Sequence, residues 1–206
     1  MATSLSLEND SSLAQGYIKV NGTTAATITT SGITGNLTGN VTGSLTAGGS
    51  LTLATAQTAS GTSVDFTGIP SWAKRITVIL GGVSLNGSSY FLIQTGAGSV
   101  TTSGYSGIGV KTNSSSTVQE VSTAGFIIRN GSGSSYITRA HIVLTLVSSN
   151  VWVSSHSGST TDGSDHCAVT GGGSITLSGT LDRVRLTTVN GTDTFDAGTI
   201  NISYEG

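Results

Sequence analysis

The chain has 206 residues, 30 of them glycine, with 35% hydrophobic content, a single proline, 8 basic and 10 acidic side chains and a net charge of −2. Charged residues fall far below the roughly 25% usual in globular proteins. The positives (Lys19, Lys74, Arg75, Lys111, Arg129, Arg139, Arg183, Arg185) are scattered, so the basic footprint of a nucleic-acid binder is excluded. Leu, Ile, Val and Phe still make up roughly a quarter of the chain, above the about 20% typical of disorder, so the chain is expected to fold.

Taken in order, residues 1–15 read as a polar attachment segment with neither a basic n-region nor an apolar h-region, so a secretory signal is not expected. No stretch approaches the about 18 apolar residues of a membrane span, and membrane insertion is not expected. Tyr17, Ile18 and Val20 predict a short strand ending at the Asn21-Gly22 turn, and a second short strand centres on Ile28.

Between Gly35 and Thr46 the chain repeats Gly-Asn-Leu-Thr, Gly-Asn-Val-Thr, Gly-Ser-Leu-Thr. Strand alternation puts Gly35, Leu37, Gly39, Val41, Gly43 and Leu45 on one face and Asn, Ser and Thr on the other. One such strand cannot bury its aliphatic residues alone. Several copies around an axis can seat each Leu or Val beside a neighbour's Gly, which predicts self-association, most simply as a homotrimer. Leu51 and Leu53 continue the parity of Leu37, and the β-fibrous stem is expected to span residues 1–57 with its attachment segment.

From residue 58 to 206 the texture changes to β-branched runs separated by Gly, Ser and Asn, which predicts an all-β head, a jelly-roll-like β-sandwich. After the turn at Gly68-Ile69-Pro70, where Trp72 folds back as an apolar plug, strands are expected over 75–80, 90–94, 107–111, 125–129, 136–147, 151–154, 167–170, 174–177, 180–189 and 199–204. In the longest, Ile142, Leu144 and Leu146 oppose His141, Val143, Thr145 and Val147, the pattern of a central strand. Gly171, Gly172 and Gly173 read as a flexible loop.

The densest chemistry lies between Ser154 and Cys167, where His156, Asp162, Asp165 and His166 precede the lone cysteine. The spacing matches no standard zinc pattern, so neither a metal nor another cofactor is expected, and one cysteine excludes an intrachain disulfide framework. The segment reads as a solvated loop able to hydrogen-bond sugar hydroxyls, with Cys167 the first buried residue of the next strand. A sugar ring also needs an aromatic face. Tyr105 and Tyr136 are the candidates for it, Tyr105 as the exposed one, whereas Trp152 alternates with Val151 and Val153 and reads as core. No nucleophile elbow, phosphate loop or distinctive carboxylate pair is present, so no enzymatic activity is expected.

The run from Phe66 to Leu80 (Phe-Thr-Gly-Ile-Pro-Ser-Trp-Ala-Lys-Arg-Ile-Thr-Val-Ile-Leu), Gly82-Val83-Ser84, and the ending from Thr194 to Glu205 resemble the C-terminal domain of bacteriophage tail-fibre and related virion fibre proteins. Tyr17-Ile-Lys-Val-Asn-Gly and the tetrapeptide repeat are similar to phage fibre stems. The resemblance implies a homotrimeric virion appendage, joined to other virion proteins through its N-terminal segment and binding a bacterial surface glycan or protein with its head. It equally covers a capsid fibre or decoration protein, and more distantly a tailspike-like depolymerase.

Overall fold

The computed structural model describes residues 5–10, 15–20, 23–29 and 32–34 by their backbone, and residues 51–206 with their side chains. The repeat from Gly35 to Leu45, with its expected packing of Gly35, Leu37, Gly39, Val41, Gly43 and Leu45, lies outside the described residues. The chain divides into two compact units, Met1–Ser44 and Leu45–Gly206. In the first, β1 (Leu5–Asp10), β2 (Gln15–Val20), β3 (Thr23–Thr29) and β4 (Gly32–Thr34) form an antiparallel meander, with Leu5 opposite Val20 and Ile28 opposite Ile33.

The second unit is all β. Its strands are β5 (Thr52–Leu53), β6 (Gln57–Thr58), β7 (Ser63–Thr67), β8 (Arg75–Leu85), β9 (Phe91–Ala97), β10 (Ser99–Val100), β11 (Ser106–Thr112), β12 (Thr117–Ser122), β13 (Phe126–Ile128), β14 (Ile137–Ser148), β15 (Val151–Thr161), β16 (His166–Thr176), β17 (Arg183–Thr188) and β18 (Phe195–Glu205). They build two antiparallel sheets. The larger runs β12-β11-β16-β15-β14-β8-β18-β5, with β6 also on β18; the smaller runs β10-β9-β17-β7, with β13 on β9.

Strict alternation explains which residues face inward. In β8, Ile76, Val78 and Leu80 are buried; so are Ile142 and Leu144 in β14, and Ile200 and Ile202 in β18. They meet Val64 and Phe66 of β7, Phe91 and Ile93 of β9, Phe126 and Ile128 of β13, and Val184 and Leu186 of β17 in one apolar cluster. Each such side chain, fully withdrawn from water, is worth about 1.5–3 kcal/mol. β14 is central, between β15 and β8. Trp152 is buried as expected, and Trp72 is half-buried against Tyr204, their ring centroids 5.6 Å apart.

The all-β sandwich is as expected; its strand order does not confirm a jelly roll, successive β14, β15 and β16 being hairpin neighbours in one sheet. Two other expectations need correction. Gly171, Gly172 and Gly173 are not a loop but the middle of β16, paired with β15 on one side and β11 on the other. Composition misleads there because glycine is used for close approach: a Cβ on Gly171 would run into the His156 ring and the Ile108 carbonyl. Finally, β5 and β6 already pair with β18, so the compact unit takes in residues before 58.

Strand polarity gives the sandwich two different ends. The chain enters at Leu51, and Trp72, Tyr105 and the C-terminal end of β18 lie at that basal end. The turns 86–90, 113–116, 129–136, 162–165 and 189–194 all gather at the opposite, distal end, since each joins strands that run towards it.

Candidate binding surface at the distal end

β15 and β16 form a hairpin whose turn, Asp162-Gly163-Ser164-Asp165, is held by its own first residue. Asp162 Oδ1 accepts from the backbone N–H groups of Ser164 (2.9 Å) and Asp165 (2.7 Å), and these bonds hold its carboxyl below the usual carboxylate range. Gly163, at φ 95°, occupies the left-handed position that the turn requires.

Asp165 then ties this turn to two others. Its carboxylate accepts from Asn113 Nδ2 at 2.8 Å, Tyr136 Oη at 2.9 Å and Cys167 Sγ at 3.2 Å, with Lys111 Nζ at 3.7 Å. Asn113 belongs to the β11–β12 turn and Tyr136 to the β13–β14 loop, so one side chain braces three turns. The Asn113, Cys167 and Tyr136 hydrogen bonds, with Lys111 beside them, pull the Asp165 carboxyl down to about 2. The same bond from Asp165 is the main reason the Tyr136 hydroxyl is pushed up to about 12. Lys111 Nζ also stands 5.1 Å from the Tyr136 ring centroid. Cys167 is buried, and burial together with the Asp165 bond raises its thiol.

A second bracket stands beside the first. Asp193 accepts from Ser89 N at 2.9 Å and from Asn190 Nδ2 at 2.8 Å, while Asn86 and Thr194 bond each other across the two turns. The Arg129 guanidinium lies 4.8 Å from the Tyr90 ring centroid, and Asn130 Oδ1 accepts from Phe91 N at 3.1 Å. Ordering these turns in advance removes an entropy cost that binding would otherwise carry.

Of the residues expected to meet a receptor, Tyr136, Asp162, Asp165 and His166 are brought together here. His166 is exposed at the start of β16, and a shallow depression of about 300 Å³ lies beside it, lined by Ser159, Thr161, His166 and Ala168. Hydroxyls and an imidazole around a shallow floor suit neutral hydrogen-bonding ligands. Among the described residues, no three His, Cys, Asp or Glu side chains are arranged to hold a metal ion.

Two expected residues are elsewhere. Tyr105 is buried at the basal end, packed edge-on against Phe126 with centroids 5.0 Å apart, its hydroxyl accepting from Thr95 N at 2.7 Å. His156 is not in a solvated loop, because β15 runs on to Thr161 and alternation turns Trp152, Ser154 and His156 inward. Neither imidazole nitrogen has a hydrogen-bond partner among the described residues. Burial lowers its pKa to about 4, against an opposing effect of the Thr170 backbone.

No protein-family model, curated protein or solved structure matches this chain. The distal surface is therefore defined by its own chemistry. Lys111, Asn113, Tyr90, Asn190 and Asp193 also belong to it, outside the dense His–Asp segment. The signal that finds them is turn chemistry: Asn86-Gly87, the Asn113-Ser-Ser-Ser run and Asn190-Gly191 each lie between β-branched runs.

Proposed function

We propose that the chain is a subunit of a homotrimeric bacteriophage fibre, carried on the virion through its N-terminal segment, whose sandwich presents the distal turns to the bacterial surface. The observation that carries this reading is the bracing of three hydroxyl- and amide-rich turns by Asp165, at the end of the sandwich away from Leu51. A surface glycan is the ligand class that suits it, since hydroxyls and one imidazole line a shallow depression without a charged side chain, beside amide-bearing turns. Weak contacts repeated on three copies gain by multivalency.

The test is binding of the full-length chain to host cells and to isolated surface polysaccharide. His166→Ala combined with Asp162→Ala is expected to weaken binding about tenfold, or about 1.4 kcal/mol. Thr145→Ala, on a strand near the basal end, leaves it unchanged. Binding indifferent to the distal pair, in virions that lose stability without this chain yet still adsorb, would favour the capsid-fibre or decoration reading. Release of reducing ends from the polysaccharide would favour a depolymerase.

A further inference from the structure

The register of the larger sheet can be followed residue by residue from one edge to the other. Val121 on β12 is opposite Ile108, Ile108 opposite Gly172, Gly172 opposite Ser155, Ser155 opposite Val143, Val143 opposite Thr77, Thr77 opposite Ser203, and Ser203 opposite Leu53 on β5. Directly paired residues share a face, so these eight form one uncharged row on the outward face of the larger sheet, nearer its basal end, with Ser203 covered at 7% exposure. Both ends of the row are aliphatic and exposed: Val121 at 69% and Ile108 at 38%, Leu53 at 63%. Beside Ile108 and Val121 lies a groove of about 580 Å³ floored by Gly172 and Gly173.

We infer that this row is a contact between copies of the chain, in which the Leu53 edge of one copy seats against the Ile108–Val121 groove of the next. The inference rests on the reading of the chain as a homotrimer. Three observations single out a second copy as the occupant. The two aliphatic patches lie at one height on opposite edges of a single sheet, the arrangement a head-to-tail ring requires. Leu51, 68% exposed, and Leu53 continue in sequence the parity of Leu37, Val41 and Leu45, the aliphatic positions of the repeat that are expected to self-associate. The outer face of the smaller sheet carries the Asp65–Arg185 and Asp182–Arg183 ion pairs, charges that interface cores are depleted of, whereas on the larger sheet the Arg75–Glu205 pair lies two residues to the basal side of the row and leaves the row itself uncharged.

The geometry supplies its own control. Seven inter-strand steps separate β5 from β12, so Leu53 and Val121 of one chain are roughly 34 Å apart, whereas a disulfide needs Cα atoms about 4.4–6.8 Å apart. Any bond between cysteines at these positions must join two copies. In a full-length Cys167→Ser background, Leu53→Cys with Val121→Cys is expected to give covalent trimers on a non-reducing gel after oxidation, and either substitution alone only monomers. Both positions are exposed, so folding is retained. Sedimentation of the unsubstituted chain runs in parallel. A trimer by sedimentation whose double variant stays monomeric on the gel overturns this contact and leaves the trimer standing; a sedimenting monomer overturns both. Covalent dimers from a single variant would mean a self-complementary contact and also overturn it.

Discussion

The two ends of the sandwich are built from opposite materials. At the basal end Tyr105, Phe126 and Trp72 close the core with aromatic packing, and aliphatic side chains are left exposed on the sheet edges. At the distal end the Phe91–Phe195 pair closes the core, and above it carboxylates and amides hold polar turns to one another. The difference teaches how a chain with little charge spends it: Asp162, Asp165 and Asp193 sit where turns must be fixed, and the strands between rely on alternation. Damage at the base should therefore spread through the fold, and damage at the tip should stay local.

The largest expected effect is at the base. Phe126→Ala removes a fully buried ring and its edge contact with Tyr105, and should cost about 3–5 kcal/mol in urea denaturation. A loss below about 1 kcal/mol would mean that the core does not depend on this end.

Between the two ends, His156 makes the fold sensitive to acid. Its folded pKa, about 4, lies below the ordinary histidine value of about 6.5, so the unfolded chain binds the proton more tightly and stability falls as pH drops from about 6.5 towards 4. The full effect is on the order of 3 kcal/mol. Urea midpoints measured from pH 7 to 4 should show it, and His156→Leu should flatten the curve over that window.

At the tip, Asp165→Asn should lower the Tyr136 pKa from about 12 towards the ordinary tyrosine value, because the carboxylate that holds the hydroxyl proton is gone. Ultraviolet titration of the phenolate, with Tyr136→Phe to identify the signal, reads it directly. An unchanged titration would break the account of Asp165 as the brace. The smallest effect belongs to the Asp65–Arg185 pair, two-pronged yet part-exposed, where Arg185→Met should cost at most about 1 kcal/mol and less in high salt.

Much of the fold was legible because a strand's period is short and local. The Ile142–Leu144–Leu146 alternation marks β14 as central, and the valines around Trp152 mark that ring as core. Tyr105 was misread because Ser-Gly-Tyr-Ser-Gly has the composition of a loop, and what buries the ring comes from Thr95, Thr101 and Phe126, contacts that no local pattern records. His156 was misread for a related reason: serines surround it, but the inward alternation of Trp152 and Ser154 continues through them. The distal surface was half legible. Turn dipeptides mark its pieces, whereas their meeting at one end depends on strand order, which the residues do not spell out.

The position of β18 bears on how the protein is made. This strand, the last among the described residues, lies between β8 on one side and β5 and β6 on the other. A nascent chain on the ribosome has β8 synthesised more than a hundred residues before the neighbour that closes it. Until translation reaches that neighbour, β8 offers an open hydrogen-bonding edge, which is a hazard for aggregation. Completion of the larger sheet must therefore wait for β18, and chains truncated before Phe195 should accumulate as insoluble material.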